Sequence, residues 1–263
     1  MKRFPFIAAV LTVGVLLVAA RAEKSSVDPV PAHLATARAL LAAITPETNL
    51  YNASPSRIRW ADEASPSNRS VCSSFTALLL RKQYGLTEDD AEALFGEAAP
   101  EADEWFLAVR DSGRFEQVPT IEAIRPGDFL VVDYRSNKAL PTGHVMLVDA
   151  PARRVAEHET SEPLPWPRPE ELADQPVTWS VPKVVEWHLS IIDSSRSPHG
   201  DGDTRKNANA DGSDDNGLGR GVIRLLTDEE GNLLGYTWST SQKSRLRTAV
   251  ERPLIVGRFC PQS

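Results

Sequence analysis

The sequence predicts an α+β fold in which N-terminal helices pack on an antiparallel sheet of about six strands. Three observations lead there: apolar residues at helical spacing up to Asp111, a switch to strand-like runs after Arg125-Pro126-Gly127, and a Gly231-Asn232 turn between two such runs. Helices first and hairpin-linked strands second is the order expected of segregated layers.

The helices come in sequence. Pro31 to Ile44 is rich in Ala and Leu, and Cys72 opens a second helix whose Phe75, Leu78 and Leu79 share a face before Gly85 stops it. Thr87 and Asp90 form a capping-box pair for a short helix to Phe95, and Pro100 to Asp111 is a fourth. Asn49 to Val71, with Pro55, Pro66 and several serines, is expected to be loop. The strands are expected at 128–134, 143–149, 184–193, 219–226, 233–239 and 254–259.

Two segments interrupt the strands. Residues 151–183 carry Pro163, Pro165, Pro167, Pro169 and Pro176, a density that disfavours both helix and central strand, so a largely irregular insertion is expected. Residues 197–217 are rich in Gly, Asp and Asn. Both flank the same strands and are expected near one rim of the sheet, where they would shape a cleft.

Lys2 and Arg3 precede an apolar run from Phe4 to Ala20 and an Ala20-Arg21-Ala22 site, the pattern of an export signal over residues 1–22. The expected organisation is therefore a signal, a linker and helix over 23–56, and one domain over 57–263. With no Cys at the cleavage site, lipid anchoring is not expected, and an uncleaved anchor stays open as the alternative. A periplasmic or secreted monomer without a stable membrane span follows. The chain of 263 residues has 29 Lys and Arg against 36 Asp and Glu, a formal net charge of −7, with no basic cluster in the sequence, which argues against nucleic acid as a partner.

Only Cys72 and Cys260 occur, too few for a disulfide framework. Cys72 sits at a helix N-terminus, where unpaired backbone N–H groups and the helix dipole favour a thiolate. His144, directly after Gly143, opens the strand His144-Val145-Met146-Leu147-Val148 and can present an imidazole from a rigid element. Asp193 closes the run Leu189 to Asp193, where a carboxylate could fix the imidazole tautomer or simply start an Asx-turn. A small buried cysteine and a strand-end histidine are the plainer readings of the other two.

Taken in order, Cys72-Ser73-Ser74-Phe75, Arg125-Pro126-Gly127-Asp128-Phe129-Leu130, Gly143-His144-Val145 and Ile191-Ile192-Asp193-Ser194-Ser195 resemble the NlpC-type cell-wall cysteine peptidases. The resemblance covers roughly 57–258 less the insertion. It implies a papain-like core, a catalytic set of Cys72, His144 and Asp193, a thioester intermediate and a peptidoglycan stem peptide as substrate, without a cofactor or metal. The chain departs from the family where Trp60-Ala61-Asp62 replaces a Tyr followed by Gly-Gly, and where Val71 replaces an Asp.

Other readings compete. The same residues suit an amidase or acyltransferase on another acyl substrate, and a non-catalytic envelope scaffold would have Cys72 paired with Cys260 or merely buried. Trp60, Trp166 and Trp179 are candidate glycan or peptide stackers, although Trp more often packs. Asn207, Asn209, Asp211 and Gly212 match the start of a calcium loop that lacks its closing Glu, since Leu218 stands there. Ser197, His199 and Gly202 match part of a zinc peptidase signature that breaks at Lys206.

Overall fold

A computed structural model describes residues 29–52, 54–136, 141–161, 164–170, 177 and 179–261. The expected export signal, 1–22, lies outside them. Among the described residues no helix is long and apolar enough to cross a membrane.

Four α-helices are described: α1 (Ala32–Ala43), α2 (Cys72–Tyr84), α3 (Glu88–Phe95) and α4 (Ala102–Asp111). Their ends follow local chemistry. Gly85 and Gly96 close α2 and α3 in the left-handed conformation that Gly adopts without a Cβ clash. At the start of α3, Thr87 Oγ1 accepts from the Asp90 N–H, and the Asp90 carboxylate accepts from the Thr87 N–H.

The strands are β1 (Asn49–Tyr51), β2 (Arg57–Arg59), β3 (Ser67–Ser70), β4 (Phe115–Gln117), β5 (Phe129–Asp133), β6 (Gly143–Val148), β7 (Arg153–Glu159), β8 (Lys183–Ser195), β9 (Gly217–Thr227), β10 (Leu233–Thr237), β11 (Leu246–Thr248) and β12 (Leu254–Phe259). Nine of them form one antiparallel sheet in the order β11-β10-β9-β8-β6-β5-β12-β4, with β7 paired to β8. The six expected strands are all present within it. The additional members are β4, β7 and β11, two of them only three residues long and thus below the length at which alternation is readable.

Three further expectations are corrected. The stretch from Asn49 to Val71 is not simply loop, because β1 and β2 flank β3 in a small separate sheet. Its polar composition hid it, and its buried Asn49, Asn68 and Ser70 satisfy one another by hydrogen bonds. The insertion is not irregular throughout: β7, which contains no proline, pairs with β8 over Lys183 to His188, and the dense run of prolines from Pro163 follows it. Nor do the insertion and the 197–217 loop share a rim. They leave β8 at its opposite ends, thirteen residues apart.

The main core lies between the helices and one face of the sheet. Phe75, Leu79, Trp105 and Phe95 from the helices meet Phe129, Val131, Val145 and Leu147 from β5 and β6. Leu130, Val132, Met146 and Val148 point to the other face and are also buried, which explains why β5 and β6 read as continuous apolar runs. Phe129 sits at the centre of an aromatic group, 5.2 Å from the Trp105 ring and 5.4 Å from His33. The Phe129→Ala substitution should therefore cost about 3–5 kcal/mol and lower the urea midpoint without changing the slope of the transition.

Candidate functional site

Cys72 is the first residue of α2, and it is held there from both sides. The Ser74 hydroxyl accepts from the Val71 N–H at 3.0 Å and fixes the first turn. Upstream, Ser70 at the end of β3 is tied to β8, because the Ser194 hydroxyl donates to the Ser70 carbonyl at 2.7 Å. Asn49 anchors β1 on β9, accepting from the Leu218 N–H at 2.8 Å and donating to the Leu218 carbonyl at 2.9 Å. The thiol is thereby positioned against the strand that carries Asp193, more than a hundred residues away in sequence.

The ladder between β6 and β8 runs over only Leu147↔Ile192 and Val148↔Ile191. Beyond its end the side chains of His144 and Asp193 meet. The His144 Nε2–H donates to Asp193 Oδ2 at 2.5 Å, and both residues are buried. With Nε2 engaged, Nδ1 is the imidazole nitrogen left for the Cys72 thiol, and the two groups stabilise one another's charged forms. Cys72, His144 and Asp193 are thus brought to one place. Asp193 does not start a turn, because β8 continues to Ser195.

Opposing influences set the charges. Burial pushes the Cys72 thiol up, but the His144 imidazolium and the Val145 N–H beside the sulfur bring it below the ordinary thiol value. Burial likewise disfavours charge on His144, yet the thiolate and the Asp193 carboxylate outweigh it and raise the imidazole above its ordinary value. The result favours a thiolate–imidazolium pair. For Asp193 the burial penalty is overcome by the Arg205 cation, by His199 and by the hydrogen bond from His144, which hold the carboxyl well below the usual range.

Three residues around Asp193 belong to the 197–217 loop and were not singled out as partners from the sequence. His199 Nε2 meets the same Asp193 Oδ2 at 2.9 Å, and its Nδ1 meets the Trp238 carbonyl at 2.7 Å. Both ring nitrogens are thus engaged, one by Asp193 and one by the backbone. Arg205 donates from Nη2 to Asp193 Oδ1 at 2.9 Å and from Nη1 to the Gly217 carbonyl, and Asp203 pairs with the same guanidinium. The loop lies on a strip without side chains. At Gly219 a Cβ would fall 2.4 Å from Arg205 Nε, and at Gly221 it would fall 2.5 Å from Asp203 Oδ2. The alternation Gly217-Leu218-Gly219-Arg220-Gly221 is the sequence signal that could have found this contact, since every second residue of a strand shares a face.

Tyr51, at the end of β1, is also at the site and was missed. Burial and the neighbouring Cys72 thiol raise its phenol well above the ordinary value, so it stays protonated and can donate a hydrogen bond. Nothing in a three-residue strand within a polar stretch points to it. Trp238 roofs the histidines, with ring centres 4.7 Å from His144 and 4.3 Å from His199.

Other candidates lie elsewhere. Trp60 belongs to the helix-side core, Trp166 to a small cluster with Val184 and Leu226, and Trp179 packs against that cluster. Cys72 and Cys260 are both free thiols, the first buried and the second exposed. His144, Asp193 and His199 each offer one ligand atom within 4.8 Å of the others. Ligand atoms around a divalent ion at the usual bond lengths lie about 3 Å apart or more, whereas these imidazoles sit at hydrogen-bond distance from the carboxylate. Arg205 already occupies its second oxygen. The donor set fits a hydrogen-bonded cluster and not an ion.

Two outcomes follow from this geometry. Alkylation of Cys72 by iodoacetamide, followed against pH, should set in below the ionisation of an ordinary thiol, and in His144→Ala the onset should move above it, because burial and the Asp193 charge then outweigh the Val145 N–H. Arg205→Met should cost about 3–5 kcal/mol in chemical denaturation, because it leaves the buried Asp193 charge without its cation. The sign with pH is fixed by Asp193, whose folded value is depressed. Its contribution is present above the unfolded carboxylate value and disappears as pH falls through the folded one.

No family model matches the chain, and no solved structure matches it at a significant level. Among curated proteins it is 30% identical over 190 residues to the "Uncharacterized protein R653" of Acanthamoeba polyphaga mimivirus, a stretch covering 72% of this chain and 76% of the viral protein. At that identity and coverage, the chain belongs to the same family as this mimivirus protein.

Proposed function

We propose that the protein is an exported cysteine hydrolase with a papain-like core that cleaves an amide bond in peptidoglycan stem peptides. The observation that carries this reading is the coupling of a buried helix-start thiol to an imidazole whose other nitrogen is held by a buried carboxylate. The resemblance of the Cys72, Gly143-His144 and Asp193 segments to NlpC-type peptidases supplies the substrate class.

In this mechanism the Cys72 thiolate attacks the scissile carbonyl carbon, and the developing oxyanion takes hydrogen bonds from the Cys72 backbone N–H and the Tyr51 hydroxyl, each donor being worth about 3 kcal/mol. Collapse breaks the carbon–nitrogen bond, and the His144 imidazolium gives its Nδ1 proton to the leaving amine. The neutral His144 then takes a proton from water, which attacks the thioester and releases the acid, restoring the ion pair. Asp193 holds His144 through Nε2 in both half-reactions. Arg205 and His199 keep Asp193 ionised and in place.

Both cysteines being free speaks against the form of the scaffold reading in which Cys72 is paired with Cys260, and the pairing of the buried thiol with His144 is what favours the hydrolase over the form in which Cys72 is merely buried. Mass spectrometry of muropeptides before and after incubation should reveal new termini with the wild type and none with Cys72→Ala. Equal digestion by the two proteins would refute the assignment. Asp193→Asn should retain the thiol but lower kcat by orders of magnitude, because the amide neither matches the imidazolium charge nor pairs with Arg205.

A further inference from the structure

Beside the site lies a cavity of about 400 Å³ whose composition contrasts with the rest of the chain. One wall is aromatic, from Tyr134, Tyr236 and Trp238, and the other is cationic, from Lys243, Arg245, Arg247 and Arg252. Among the described residues no carboxylate lines it, although acids outnumber bases in the sequence. These cations come from β11, the turn before it and the residues leading into β12, so they were not visible as a run.

The cavity adjoins the thiol site, because Trp238, which lines it, also packs on His144 and His199. Tyr134, opposite it, is within electrostatic reach of both Cys72 and Tyr51. The two ends of the cationic wall differ. Arg252 lies over the Tyr134 ring at 4.1 Å, which fixes it as part of the wall. Lys243 and Arg245 are exposed at the mouth, where Arg245 reaches Glu170, itself largely in solvent. An exposed pair of that kind is weak and readily exchanged for a better-placed anion.

We infer that this cavity is a substrate subsite that takes an anionic group, a carboxylate or a phosphate, on the acyl compound whose carbonyl is presented to Cys72. The inference rests on the hydrolase reading for its link to the thiol, and it narrows the substrate class to anionic acyl compounds. Aromatic walls bury the stem of the group while the cations meet its charge, and the single sign of the lining concentrates anions at the mouth.

Binding by the full-length Cys72→Ala protein tests this without turnover. Calorimetry would compare N-acetylglutamate and N-acetyl-O-phosphoserine with the neutral N-acetylglutamine. At least one anionic probe should bind about tenfold more tightly than the neutral one, and the preference should collapse in the Lys243→Gln/Arg245→Gln variant of the same protein, whose substitutions are at exposed positions and leave the melting temperature in place. The tighter of the two anions identifies carboxylate or phosphate as the recognised group. Equal binding of all three, no binding of either anion, or a preference that survives the double substitution would overturn the inference. Because no catalysis is read, failure of the muropeptide assay and failure of this one are separate results.

Discussion

Everything at the candidate site depends on keeping one carboxylate ionised where water does not reach. Asp193 is fully buried and would by itself shed its charge, yet it accepts from His144 and His199 on one oxygen and from Arg205 on the other. Two buried acids, Asp193 and Asp203, are balanced by the Arg205 guanidinium they share and by the hydrogen bonds that reach Asp193 from both histidines. That balance lets a negative charge remain beside a cysteine that needs a positive imidazole. Without it His144 would lose the partner that raises its proton affinity, and the thiol would lose its counter-ion.

The remaining architecture serves that arrangement in layers. The helices bury one face of β5 and β6 and thereby aim α2 at the place where β6 and β8 meet in the middle of the sheet, while the small sheet of β1 to β3 fastens the residues before Cys72 to β8 and β9. A fold that relied on α2 packing alone would place the helix but not its first residue. The Asn49, Asn68 and Ser70 network adds the missing restraint at that end.

Much of this was legible in the sequence because it rests on periodicity and punctuation. Gly85 ended α2, Thr87 and Asp90 began α3, and β12 fell at 254–259 as expected. Cys72, His144 and Asp193 were recognisable because each stands at or near an element boundary. Tyr51, His199, Asp203 and Arg205 were not, because they sit in polar or Gly-rich stretches whose local pattern is that of loop. Their roles arise from tertiary contact, and the glycines of β9 that permit the contact have no side chain to advertise it. The cationic cavity escaped for a related reason: its charges are dispersed over 243–252 and converge only when β10 and β11 pair.

The contacts to Asp193 also fix when the protein can become competent during synthesis. Cys72 is reached early along the chain, but its imidazole follows seventy residues later, the carboxylate fifty after that, and the glycine strip that seats Arg205 later still. Such distant pairings form only when β9 is laid against β8. A nascent chain that ends before Gly221 therefore carries Cys72 without the seat of the buried charges that hold its imidazole.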